Sequence, residues 1–352
     1  ILLPTFYALM QSKGIYTETK IHSRFEYFAP KMLGKLVPGS FNFNQMPSGQ
    51  PNIYIGMLLM LGACLYFFNN RFDLRRRLIG AAISIFFIFS FCYEPLDLLW
   101  HAGQFPVWYP YRFSYLFSFW CIYLAAKVLQ PDFKIKKRSA LILTLLIIAI
   151  YWYVGTLSLS YINSNQRNIG LCFSLIAVSC LCIPRTNSPR LYDALLVLLA
   201  VCDISMSGYT ALNKISYVSQ PEFGDYTIAL DKSVKKLKKH DPSFYRVAKT
   251  FMRTKDDPFQ ADFNSGDHFG STLEPPIPAF MGAIGQPDGD GFVTYTNGTQ
   301  VSDALLGYKY TMNARNTSAG QALPLSGFRP DWYSYPLVGS TSAVNLRENP
   351  HA

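Results

Sequence analysis

Lys136-Lys-Arg-Ser-Ala-Leu-Ile-Leu-Thr-Leu-Leu-Ile-Ile-Ala-Ile-Tyr-Trp-Tyr-Val-Gly-Thr-Leu-Ser-Leu159 decides the fold class. Three cations lead into 21 residues without a charged side chain. A run of about 20 apolar residues is the length of a helix that crosses the hydrocarbon layer of a bilayer. Lipid offers the backbone no hydrogen-bond partner, so such a run is expected to be helical rather than extended. Five further stretches read the same way: Ile53 to Phe68, Leu78 to Cys92, Arg112 to Leu129, Asn168 to Ile183, and Leu191 to Ser207. From Lys214 onward the chain has the composition of an ordinary soluble domain. This division accounts for a charged fraction of 15%, against about 25% in soluble domains. The expected fold is a polytopic α-helical membrane protein followed by an extracytoplasmic α+β, strand-rich domain. The transmembrane region spans 1–213, with outer loops 11–52 and 93–111, and the second domain spans 214–352. Ile1 to Met10 resembles the last turns of a helix, and the chain reads as an internal piece of a longer protein whose second domain is cut at its C-terminal end.

Orientation follows from cations in the connecting loops. Asn69 to Arg77 holds four arginines, Lys127 to Arg138 five cations, and Pro184 to Arg190 two. Tyr93 to Tyr111 and Ser160 to Arg167 hold only Arg167 between them. The first three loops are therefore expected in the cytoplasm, and residues 214–352 outside it. Gln11 to Asn52, with five cations, disagrees and is outweighed. Within the second domain, Asp225 to His240 reads as a helix with Leu230, Val234 and Leu237 on one face. Ser243 to Arg253 and Tyr308 to Met312 alternate like strands, and Asn297-Gly298 signals a turn.

All seven cysteines lie in apolar runs, none after Ser207. They read as small packing residues rather than as a disulfide framework. No Gly-rich loop ends in Gly-Lys-Ser/Thr, and no Cys/His set has zinc spacing. ATP-driven chemistry and structural zinc are thus not expected, and a net charge of +10 concentrated partly in membrane loops does not argue for nucleic acid. The sequence leaves the cofactor open, a divalent cation included.

Glu94-Pro-Leu-Asp-Leu-Leu-Trp-His-Ala-Gly-Gln-Phe-Pro-Val-Trp-Tyr-Pro-Tyr-Arg112 is the densest polar stretch between two spans. It gathers Glu94, Asp97, His101, Gln104, Trp108, Tyr109 and Arg112 as candidate substrate-binding residues. A guanidinium at the head of a span can hold a headgroup phosphate through two parallel hydrogen bonds. Tryptophan and tyrosine suit the interface and also stack on sugar faces. The alternative is an aromatic belt with a snorkelling arginine. Other candidates are weaker. Asp203, near the outer end of the last span, is either functional or simply hydrated. Phe25 to Leu36 is an interfacial segment or a loop packed on the helices. Lys232, Lys235, Lys236, Lys238 and Lys239 form a solvated basic face or attract a polyanion. Asp288-Gly-Asp290 reads as a turn rather than a metal motif.

Phe105-Pro-Val-Trp-Tyr-Pro-Tyr-Arg-Phe-Ser114 resembles the signature of the YfhO family of bacterial membrane proteins. Pro51-Asn-Ile-Tyr-Ile-Gly56, Phe244-Tyr-Arg246, Asn297-Gly-Thr299, Leu305-Leu-Gly-Tyr-Lys-Tyr310 and Glu348-Asn-Pro350 resemble it too, in the family's order. The resemblance implies a C-type glycosyltransferase fold, with a polyprenyl-phosphate-linked sugar as donor and a surface polymer such as teichoic acid as acceptor. Its general base is then expected upstream of Ile1, with Glu94 and Asp97 as helpers. The implied partners are a lipid-linked sugar, an anionic surface polymer and membrane lipid. The rival readings are a transporter or flippase for a lipid-linked saccharide, and a non-catalytic membrane-anchored scaffold.

Overall fold

The computed structural model describes residues 22–26, 29–101, 103, 106, 108–130, 133–183, 189–270, 273–289 and 291–352. The expected helical end at 1–10 and the candidate Gln104 lie outside them, as does Asp290. Two compact units divide between Ser216 and Tyr217.

The first unit is helical: α1 (Met57–Tyr66), α2 (Leu74–Cys92), α3 (Glu94–Trp100), α4 (Ser114–Val128), α5 (Lys137–Thr156), α6 (Ser164–Cys182) and α7 (Pro189–Leu212). Each of the six apolar stretches overlaps one of these helices. Of them, α5 and α7 are long and apolar enough to cross a membrane, whereas α1 and α4 are apolar but shorter. The span expected from Ile53 is helical only from Met57. Gly56 sits at φ 87°, a left-handed geometry that ends the extended segment before it. At 1.5 Å per residue, ten residues cover roughly half of a bilayer core. Irregular backbone at that depth is tolerated where protein surrounds it, and Ile53 and Ile55 are indeed buried. The span expected from Arg112 likewise begins at Ser114, because Tyr109 and Tyr111 both take left-handed backbone angles.

α1 is the central helix, packing on α4, α6 and α7. It approaches α4 closely because Gly62 faces Ala125: a Cβ on Gly62 would lie 3.0 Å from that of Ala125. Small residues at such crossings let two backbones meet without a hydrophobic driving force between helices. α2, α5 and α7 instead turn large apolar side chains outward, among them Ile85, Phe86, Leu141, Leu145, Leu195 and Val201. So extensive an apolar exterior suits lipid, not water. The segment 29–52 lies on the helices: Gln166 Nε2 donates to the carbonyls of Pro38 (3.1 Å) and Gly39 (2.8 Å).

The second unit opens with α8 (Gln220–His240), capped by Ser219, whose Oγ accepts from the Glu222 N–H. Its buried stripe is Tyr226, Leu230, Val234 and Leu237. The helix packs against the sheet formed by β1 (Arg246–Lys249), β5 (Tyr308–Ala314), β6 (Leu337–Ser340) and β7 (Val344–Glu348), in the order β1-β5-β7-β6. β1 and β5 run parallel, and the other pairs are antiparallel. A small antiparallel sheet, β2-β4-β3, combines β2 (His268–Phe269), β3 (Asp288–Gly289) and β4 (Phe292–Val293). The short helix α9 (Asp257–Ala261) follows β1, and three more short helices interleave with the remaining strands. The domain is therefore α+β but not strand-rich, since most strands hold two to five residues. The strand expected over Ser243 to Arg253 is shorter than that range because the chain leaves β5 after Thr250 and pairs with Pro324 and Leu325. Asn297-Gly298, with a bend at Asn297, leads into a helix, with Thr299 and Ser302 forming a capping box.

Candidate functional site

The polar stretch after α2 folds back onto residues 22–26. Phe25 bridges Tyr93 in antiparallel fashion, the Glu26 N–H donates to the Cys92 carbonyl (2.8 Å), and the Glu94 N–H donates to the Arg24 carbonyl (3.2 Å). This pairing brings three ionisable groups to Glu94, which is fully buried at the start of α3. Its carboxylate accepts from the His22 N–H (3.0 Å), lies 3.2 Å from His22 Nδ1, and pairs with Arg24 Nε. Burial alone would raise the carboxyl, but these hydrogen bonds and the Arg24 charge outweigh it and hold Glu94 below the ordinary carboxylate range. Glu26 behaves oppositely. Burial raises it, and the charges of Asp97 and Glu94 add to that shift against the hydrogen bond from the Tyr111 hydroxyl.

One turn further along α3, Asp97 is buried and His101 caps the helix. His101 Nδ1 lies 3.0 Å from the Asp97 carbonyl and 3.4 Å from Asp97 Oδ1. A carbonyl only accepts, so Nδ1 is the donor in that hydrogen bond. Asp97 Oδ1, Trp100 Nε1 and His101 Nε2 are buried without a hydrogen-bond partner among the described residues. Each such atom costs about 1–3 kcal/mol, and three within five residues mark a place where a ligand's polar atoms would be welcome. The Trp100 ring is held rigid by stacking on Phe87 (5.8 Å) and Phe113 (5.0 Å).

Trp108 and Tyr109 are 40% and 49% exposed. Their turn is fixed by the Tyr109 N–H donating to the Met46 carbonyl (2.6 Å) and by Trp108 packing edge-on against Phe43 (5.9 Å). Arg112 is exposed and spends part of its donor set on this turn, with Nη2 donating to the Trp108 carbonyl (2.8 Å) and Nε to that of Tyr109 (3.3 Å). It stands two residues before α4 rather than heading that helix, and makes no hydrogen bond to Glu94, Asp97 or His101 among the described residues. The structure thus assembles two sets: one built on the buried acids Glu94 and Asp97 with His101, to which the part-buried Glu26 and the exposed Arg24 and His22 are added, and an exposed one (Trp108, Tyr109, Arg112). Tyr111 joins them through Glu26. Sequence reasoning missed His22, Arg24 and Glu26 because nothing local ties them to a position some 70 residues away. Beside the acids runs an apolar groove of about 620 Å³, lined by Phe25, Ala29, Pro30, Ile85, Ile88, Phe89 and Cys92.

Two other polar groups have purely internal partners. Asp203 is neither hydrated nor free: it accepts from the Tyr54 hydroxyl and from the Met57 N–H (2.6 Å), capping α1 from a distance. Lys35, also buried, donates to the Ser40 carbonyl (2.9 Å), Gln45 Oε1 (2.9 Å) and Asn52 Oδ1 (3.1 Å). Burial among neutral acceptors pushes its ammonium down to about 7.

The family described as bacterial membrane protein YfhO matches residues 1–352, the full length of the chain. No curated protein and no solved structure matches it.

Proposed function

The chain belongs to the YfhO family of bacterial membrane proteins, and from that premise we propose that it transfers a sugar from a polyprenyl-phosphate carrier to a surface polymer, teichoic acid or a similar chain, at the outer face of the membrane. The observation that supports this reading is the set of acids around Glu94 and Glu26, next in the chain to Phe25 and Cys92, which line an apolar groove. A lipid-linked sugar is a ligand with those two halves. The leaving group is a phosphate anion, which calls for charge stabilisation more than protonation. Arg112 retains free donors for it, and Trp108 and Tyr109 offer faces for a sugar ring. Glu26, held above its ordinary value, is the carboxyl of the cluster suited to exchanging a proton.

A transporter would use a broken helix whose free N-terminus faces the substrate. α1 is broken at Gly56, but its Met57 N–H is already taken by Asp203, so that reading gains nothing here. A scaffold without chemistry would give no role to the buried polar atoms of Trp100 and His101 that have no hydrogen-bond partner among the described residues.

Sugar transfer by the protein in membranes, corrected for expression, tests the proposal. A charged hydrogen bond is worth about 1.5–3 kcal/mol, so Arg112→Ala is expected to lower transfer roughly 10- to 100-fold. Arg112→Lys keeps the charge and loses the planar fork, so it should recover only part. Wild-type transfer by a well-expressed Arg112→Ala protein would return Trp108–Arg112 to the role of an interfacial belt.

A further inference from the structure

The second unit carries an open cleft of about 810 Å³ between the end of α8, the start of β1 and α9. A smaller cavity of about 320 Å³ shares Arg246, Ser265 and His268 with it. Phe244-Tyr-Arg246 and part of Leu305–Tyr310, two stretches singled out in the sequence, line these hollows.

Two features of the lining point the same way. Phe244 and Phe259 stand 72% exposed at the cleft, although nothing obliges a soluble surface to leave two rings there in water. The rings are oriented by neighbours: Arg246 lies over Phe244 (5.6 Å), and His268 packs on Phe259 (5.2 Å). Most of the charges beside them are paired within the protein. Lys238 pairs with Asp262 (2.5 Å), Asp241 with Lys309 (2.7 Å), and Asp267 (3.5 Å) shares Lys249 with Asp257 (3.2 Å), while His268 Nδ1 lies 3.3 Å from Asp256 Oδ1 and Arg246 Nη1 donates to the Leu306 carbonyl (2.7 Å). Asp262, held at φ 55° just past α9, keeps 95% of its side chain exposed. Aromatic faces set among three carboxylates (Asp241, Asp262, Asp267), two fixed cations (Lys238, Arg246), amide and hydroxyl groups suit a ligand rich in hydroxyls with apolar ring faces. A polyphosphate would meet more anions than fixed cations in this lining.

We propose that this cleft binds an uncharged saccharide, with Phe244 and Phe259 stacking on sugar faces and Asp262 accepting from vicinal hydroxyls. Under the transfer reading above, on which this assignment of a biological role rests, the cleft holds the sugar-bearing part of the acceptor and leaves its phosphates in solvent. The test uses the purified full chain in nanodiscs, with chitohexaose, cellohexaose and maltohexaose as neutral probes and poly(glycerol phosphate) as the polyanion. At least one neutral hexasaccharide should bind, with an affinity unchanged up to about 0.5 M salt. Phe259→Ala and Phe244→Ala should each weaken it by about tenfold, the scale of one lost stacking contact. Both rings are exposed, so these variants should fold, and unchanged thermal unfolding confirms that they do. Failure of all three neutral probes to bind, binding indifferent to both substitutions, or salt-sensitive binding of poly(glycerol phosphate) alone would each overturn the proposal. The readout needs no turnover. Hexasaccharide binding in a protein that transfers no sugar would keep the cleft and remove the transferase, and transfer without binding would do the reverse.

Discussion

Glu94 shows how much at the residue scale depends on partners chosen by packing. A carboxylate removed from water is disfavoured in its charged form unless hydrogen bonds and an opposite charge replace the solvent, and here His22 and Arg24 do so. Its folded-state pKa lies below the ordinary 4.5, so the linkage has a definite sign. The stabilisation is complete above 4.5 and is lost as pH falls through the lower folded-state value. We predict that Arg24→Ala lowers the unfolding temperature of the membrane-reconstituted protein at neutral pH. The gap to wild type should narrow on acidification, as Glu94 takes up its proton in both proteins. Because Arg24 is itself largely exposed, solvent screens the pair and the loss should be modest. A gap that widens toward low pH would contradict the assignment.

Among the elements, α1 is the one whose packing tolerates least. Eight of its ten residues are buried, and at Gly62 the α4 backbone is so near that an added Cβ would lie 3.2 Å from Ala125 Cα. Gly208 on α7, by contrast, has nothing within 4 Å of such an atom. Overpacking a tight contact costs about 1–3 kcal/mol. Gly62→Leu should therefore reduce the amount of folded protein extracted from membranes and its thermal stability, whereas Gly208→Leu should leave both near wild type. Equal effects at the two positions would mean that α1 and α4 do not cross as described. The same element explains Asp203: the N-terminus of a helix leaves backbone N–H groups without partners, and α7 supplies an acid to one of them.

For the whole molecule, the proposal depends on which side of the membrane each loop occupies. Cysteines placed one at a time on a cysteine-free background, as Arg76→Cys, Lys136→Cys, Trp108→Cys and Lys236→Cys, can be read with a membrane-impermeant thiol reagent. Labelling in intact cells is expected at positions 108 and 236, and only after permeabilisation at 76 and 136. Labelling of position 76 but not 236 in intact cells would invert the orientation and put the proposed site in the cytoplasm. There nucleotide sugars are available, and a lipid carrier would lose its purpose.

Composition and hydropathy along the chain determined the positions of the six apolar helices, the buried stripe of α8 and the gathering of aromatic and ionisable residues at 94–112. These are properties of neighbours: a run of apolar side chains or a 3.6-residue period is visible without knowing what lies opposite. Only the tertiary structure decided that α1 begins at Met57, that Asp203 serves it from 146 residues away, and that Glu26 and Arg24 belong with Glu94. It also decided that the strands of the second unit are short and that Phe244 and Phe259 flank one cleft. Those outcomes turn on buried polar atoms finding partners and on which backbones can approach each other. Such choices are made between residues far apart in the chain, where local pattern carries no information.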